Sequence, residues 1–169
     1  IGLHSSYSAG LEPHRIAGEK EQLMSAFDCE IRLNRHHFLA SKEPEDLTLL
    51  ANAGFSDDFT MGFPDVAGFR LGTSRAVKWF DPTLFKLTDL TLHPLLIMEC
   101  TLDREKYMGL DYEEAWDFCL KLLVEVEKHN GDACLLWHNT QLSLALQENG
   151  SYQRRLYVQI VDYLKSRAC

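Results

Sequence analysis

Histidines stand at positions 4, 36, 37 and 138, and each follows a short apolar run that reads as a strand. Neutral imidazoles arriving from separate strands suit Zn²⁺ or a similar divalent ion. An ion held so lowers the pKa of a bound water and polarises a carbonyl, while a histidine free of the ion can protonate a leaving group. Around them lie Arg35, Asp58, Arg70 and Glu99, together with the aromatic residues Tyr7, Phe63 and Trp137. His36 and His37 are adjacent, so in an extended chain they point to opposite sides and at most one faces a common site. The competing chemistries lack their signatures. No GxxxxGK or GxGxxG segment is present to cradle phosphate, and no GxSxG turn is present to expose a serine nucleophile. Metal-assisted hydrolysis is the reaction class that these residues leave standing.

The elements that must position these groups alternate between short strands and amphipathic stretches. Strands are predicted over 1–4, 30–34, 58–61, 76–80, 92–100 and 133–137, and helices over 14–27, 43–53, 111–128 and 152–166. The stretch 111–128 is the clearest helix, with Ala115, Phe118, Cys119, Leu122, Leu123 and Val126 at the 3.6 period. The segment 5–13 reads as a polar loop, and 62–75, with three glycines and a proline, as an ordered loop. Strand and helix in this alternation imply a mainly parallel sheet covered by helices, an α/β fold built either as an open sheet or as part of a (β/α) barrel. In both architectures ligands sit at the C-terminal ends of the strands, and the histidines fall there. The chain reads as one domain over 1–169.

The chain has 169 residues, 46% of them hydrophobic and 25% charged, which excludes wholesale disorder. Its net charge of −8, without a lysine and arginine cluster, excludes nucleic-acid wrapping. No apolar run reaches the length of a membrane span, and no signal segment is visible, so a cytoplasmic location is expected. Five cysteines without CxxC spacing read as reduced and structural.

Five segments in order, IGLHSSY at 1–7, NRHHFL at 34–39, DFTMGF at 58–63, GFRLGTS at 68–74 and LLWHN at 135–139, resemble the polysaccharide deacetylase superfamily (NodB-like, carbohydrate esterase 4-like), in particular a bacterial branch associated with cell-surface polysaccharides. The resemblance implies a distorted (β/α) barrel that holds a divalent metal, with zinc the expected ion, and removes acetyl groups from sugar polymers. It makes His4 the first metal-binding histidine, with Arg35 at a strand-end motif and His138 as the general acid. Leu135 and Trp137 would line the acetyl pocket. The second histidine of the family's HxxxH motif falls on Ser8, and His37 is expected to replace it. Asp58, Arg70 and Glu99 are expected to tune these groups or to touch substrate, and Tyr7, Phe63 and Trp137 to stack on a sugar ring. The family's aspartate-rich first motif, which supplies the base, would precede His4. The reading is therefore of a chain lacking its first strand or strands, unstable or self-associating on its own. The alternatives are a non-catalytic carbohydrate-binding barrel and an unrelated metal-dependent hydrolase of a small amide.

Overall fold

The computed structural model describes residues 1–143 and 151–167. In chain order the elements are β1 (Gly2–Ser5), α1 (Tyr7–Leu11), α2 (Arg15–Phe27), β2 (Leu33–His36), α3 (Glu45–Asn52), β3 (Asp57–Asp58), β4 (Val77–Asp81), β5 (Lys86–Leu92), β6 (Leu95–Met98), α4 (Glu99–Asp103), α5 (Tyr112–Lys128), β7 (Cys134–Leu136) and α6 (Tyr152–Arg167). Short 3₁₀ turns follow β2 at His37–Leu39 and β7 at Asn139–Leu142.

The strands form a five-stranded sheet in the order β1-β2-β3-β5-β4 and a two-stranded sheet, β6-β7. Every pairing is parallel except the β4–β5 hairpin. The His93 N–H extends the β3–β5 ladder onto the Asp58 carbonyl (2.8 Å), and the Leu95 N–H of β6 bonds the Met61 carbonyl just beyond β3 (2.9 Å), which ties the second sheet to the first. Among the described residues β1 pairs only with β2 and β7 only with β6. The fold is thus a mixed α/β architecture with a mostly parallel sheet that is not closed into a barrel.

Burial follows the pleat. Leu3 and Ser5 of β1, and Asn34 and His36 of β2, are buried, whereas Gly2 and His4, and Leu33 and Arg35, are not. The buried row faces α2 and α3, where Leu3, Ile16, Leu47, Leu50 and Leu90 make one core. A second core joins Leu96 and Ile97 of β6 to Leu102, Ala115, Cys119 and Leu123, and to Leu156 and Ile160 of α6. The other face of the sheet is left open, and it carries His4 and Arg35.

Helix α5 starts where its sequence places it. The Asp111 carboxylate accepts from the Glu114 N–H at 2.9 Å, and the Glu114 carboxylate accepts from the Asp111 N–H at 3.0 Å. Both bonds satisfy donors that the first turn cannot satisfy internally. Asp111→Ala is expected to cost about 1 kcal/mol, measured as a shift in the urea midpoint.

Several elements depart from the sequence reading. The segment expected to be a loop over 5–13 contains α1, capped by the Ser6 hydroxyl, which accepts from the Ala9 N–H at 3.1 Å. The run expected as one strand over 92–100 is divided: Leu92 ends β5, Pro94 interrupts the ladder, and β6 begins at Leu95. Strand β5 is an addition, as is the short helix α4. Strand β7, expected to be buried, is half-buried along its length. Cys29, Cys100, Cys119 and Cys134 are free thiols, as expected; Cys169 lies outside the described residues.

Between the sheet and its helices lies a buried polar network. The Asp58 carboxylate accepts from Asn34 Nδ2 (2.8 Å), from the Thr60 N–H (2.9 Å) and from the Thr60 hydroxyl (2.8 Å). Asn34 Nδ2 also contacts His36 Nδ1 at 3.0 Å, and the His36 N–H donates to the Thr60 hydroxyl at 3.0 Å. Burial pushes the Asp58 carboxyl up and the His36 imidazole down. For His36 the sign follows directly. An imidazole that resists its proton only when folded contributes stability above its unfolded pKa of 6.5, and that stability is lost as pH falls below that value. Asp58 works in the opposite direction, so the comparison with a variant isolates the histidine. His36→Asn is expected to lose less stability than the parent between pH 7 and pH 5, measured by urea denaturation at each pH.

Candidate active site at the strand ends

The C-terminal ends of β1, β2, β6 and β7 surround a cavity of about 790 Å³. Its wall includes His4, Arg35, His37, Cys100, Trp137 and His138. That volume lies within the range of small-molecule sites.

His4 leaves β1 with its Nδ1 at 2.9 Å from the carbonyl oxygen of Arg35. A carbonyl only accepts, so Nδ1 carries the proton and Nε2 keeps its lone pair. His37 begins the turn after β2, and its ring meets that of His4 edge-on with centroids 5.1 Å apart. Burial, together with the nearby His4 and His138, holds the His37 imidazole below its ordinary pKa. His37 is therefore neutral at pH 7, and its Nδ1 is buried without a hydrogen-bond partner among the described residues. Both residues of the adjacent pair border the cavity, but the His36 side chain is buried and its ring turns to Asn34 in the covered network.

Arg35, on the open face of β2, donates from Nε to the carbonyl of Phe59 (3.1 Å) and from an Nη to the sulfur of Cys134 on β7 (3.3 Å). It therefore spans the two sheets and holds them in register. On the opposite wall Glu99 follows β6 and His138 follows β7. Parallel pairing of Met98 with Leu136 sets these two exits side by side. The Glu99 Oε1 accepts from the His138 backbone N–H at 3.2 Å and pairs with His138 Nδ1. Glu99 is only 1% exposed, whereas the His138 side chain is 51% exposed. Glu99, Cys100 and His138 each place a ligand atom within 4.8 Å of the others, so this cluster could hold a metal ion.

The remaining expected residues are distributed otherwise. Asp58 lies on the covered face, away from His4 and Arg35, because neighbours along the parallel register put its side chain with Asn34 and not with Arg35. Arg70 ties loops together, donating to the Glu43 carboxylate (2.7 Å) and to the Gly62 carbonyl (3.2 Å). Tyr7 is exposed beside the site and packs edge-to-face on Phe38, centroids 5.7 Å apart. Trp137 lines the cavity while its indole N–H is anchored to the Gln153 carbonyl at 3.1 Å. Leu135 belongs to the second core, and Leu136 occupies the cavity wall in its place.

Three residues at the site escaped the sequence reading. Cys100 reads from the sequence as one of the structural cysteines. Phe59 packs beneath Arg35 and stacks on His93, whose Nε2 pairs with Asp57 at 2.7 Å. Phe38 is 69% exposed and takes a left-handed backbone (φ 57°), as does Leu39 (φ 53°). Two successive non-glycine residues in that region are unusual and place an aromatic ring at the rim. The apolar neighbour of a double histidine was its only sequence signal.

Fold and site together define an α/β protein with a histidine-lined cavity at its strand ends. No family model matches the chain, and neither a curated protein nor a solved structure is found to be similar to it. No helix among the described residues is long and apolar enough to cross a membrane.

Proposed function

We propose that the cavity is the active site of a metal-assisted hydrolase that removes acetyl groups from sugars. The observation that carries this reading is the convergence of His4, His37 and His138, from three strand ends in two sheets, on one cavity, with a buried carboxylate behind His138. His4 and His37 bring two imidazole donors together for a divalent ion such as zinc, and among the described residues no third carboxylate, thiol or imidazole completes a ligand group with them. His4 has an Nδ1–H anchored to a carbonyl and a free Nε2, the arrangement usual for a metal-bound histidine. His37 adds a neutral ring with a buried nitrogen that has no partner among the described residues. His4 and His37 would hold the ion, which supplies polarisation of the acetyl carbonyl and acidification of water.

The chain's own residues do the rest. Glu99 holds His138 through Nδ1, which leaves Nε2 to carry a proton to the departing amine or hydroxyl of the sugar. Glu99 also offsets the positive charge of His138 while that proton is in place. Arg35 is a positioning residue: its bonds to Phe59 and Cys134 keep the β2 rim opposite the β7 rim. Tyr7, Phe38 and Trp137 offer ring faces at the mouth for a sugar.

The test is acetate release from N- and O-acetylated oligosaccharides after chelation and return of zinc. His4→Ala and His37→Ala are each expected to raise the zinc concentration needed for half-maximal release by about tenfold or more. Absence of release with every acetylated sugar and divalent ion would overturn the reading. Oligosaccharide binding without release would favour the non-catalytic carbohydrate-binding protein.

A further inference from the structure

We propose that Glu99, Cys100 and His138 form a second cation site, specific for soft divalent ions, whose occupation takes His138 out of proton transfer. The site itself stands on the geometry of these three residues; only its inhibitory effect rests on the hydrolase reading.

Topology assembles the site. Glu99 and Cys100 are the first two residues of α4, directly after β6, and His138 is the second residue after β7. Because β6 and β7 are parallel neighbours, a carboxylate, a thiol and an imidazole from opposite ends of a 39-residue interval meet with their ligand atoms within 4.8 Å.

A second observation points to a cation ligand. Glu99 is 1% exposed, and its Oε2 has no hydrogen-bond partner among the described residues. Buried carboxylate oxygens are almost always satisfied, and the partner that fits one beside a thiol and an imidazole is a metal ion. The charges agree, since a carboxylate and a thiolate together neutralise a divalent cation. The donor set selects the ion: sulfur and nitrogen favour zinc or cobalt, whereas magnesium and calcium require oxygen ligands. Half-exposure of His138 provides the way in from solvent.

Burial first, and then the adjacent Glu99, push the Cys100 thiol up, so without a cation the sulfur is protonated. Binding breaks the S–H bond, forms a metal–sulfur bond and releases about one proton to water for each ion bound. His138 then shares a nitrogen with the ion, and excess zinc inhibits the hydrolysis assigned to the cavity.

The experiment uses Co²⁺ added to the purified, reduced protein. A near-ultraviolet thiolate-to-cobalt absorption band is expected, with proton release in unbuffered solution. Cys100→Ser should abolish the band, and Glu99→Gln should weaken cobalt binding by about tenfold or more. The band should persist in His4→Ala and His37→Ala, which separates this site from the one assigned to those histidines. Zinc should also slow the reaction of one thiol with a disulfide reagent in the parent and of none in Cys100→Ser. Failure of the band to appear in the parent, its survival in Cys100→Ser, or its loss in His37→Ala would each overturn the proposal.

Discussion

His138→Gln is expected to lower kcat/KM for acetate release from an acetylated sugar by about 10²- to 10⁴-fold, the range of a lost general acid. The same variant should lose far less on an activated aryl acetate, whose leaving group departs without a proton. That contrast separates proton donation from a structural role. His138 is half exposed and its backbone N–H keeps its bond to Glu99, so the thermal midpoint should stay close to that of the parent. Glu99→Gln should reproduce part of the loss, because an amide can orient the ring yet cannot offset the charge of the imidazolium. Equal losses on both substrates would argue that His138 supports the cavity and does not transfer a proton.

Asp58→Ala carries the largest expected cost in stability. The fully buried carboxylate accepts three hydrogen bonds, two from Thr60 and one from Asn34, and its removal leaves those donors without water to replace it. At roughly 1–3 kcal/mol for each buried group left unsatisfied, the total should be about 3 kcal/mol or more. Urea denaturation measures it directly. Activity per folded molecule should change little, since Asp58 lies on the opposite face of the sheet from His4 and Arg35. A large fall in activity with unchanged stability would instead place Asp58 in the chemistry.

These two residues mark where the sequence was legible. Both stand out in the sequence as chemical groups, His138 at a strand exit and Asp58 at the start of the strand read over 58–61. One of them faces the cavity and the other the helices. The parity of a strand decides such a question, and parity depends on register. A two-residue strand such as β3 has too little alternation to reveal it. Likewise the adjacency of His36 and His37 required them to diverge, but the side each takes depended on where α2 and α3 pack.

Local periodicity determined much of the rest. Helix α5 has a capping residue, a continuous apolar stripe and a length of 17 residues, so its own sequence specifies it. Helices α1 and α4 have five residues each, too short to be stable alone, and tertiary packing of Ala9 and Leu102 holds them. Strand β5 escaped notice because its inward pair, Leu90 and Leu92, sits at one end of an otherwise exposed hairpin arm.

By itself the sequence determined the α/β class, the mainly parallel strands and the placement of His4, His37 and His138 at strand exits. Only the tertiary structure decided that Glu99 meets His138, that Arg35 bridges to Cys134 and that Asp58 is turned away from the cavity. Periodicity is a property of neighbours in the chain, and an amphipathic segment has only one way to bury its apolar face. Contacts across 39 or 99 residues depend on which strands pair and in what register, and no local pattern records that choice.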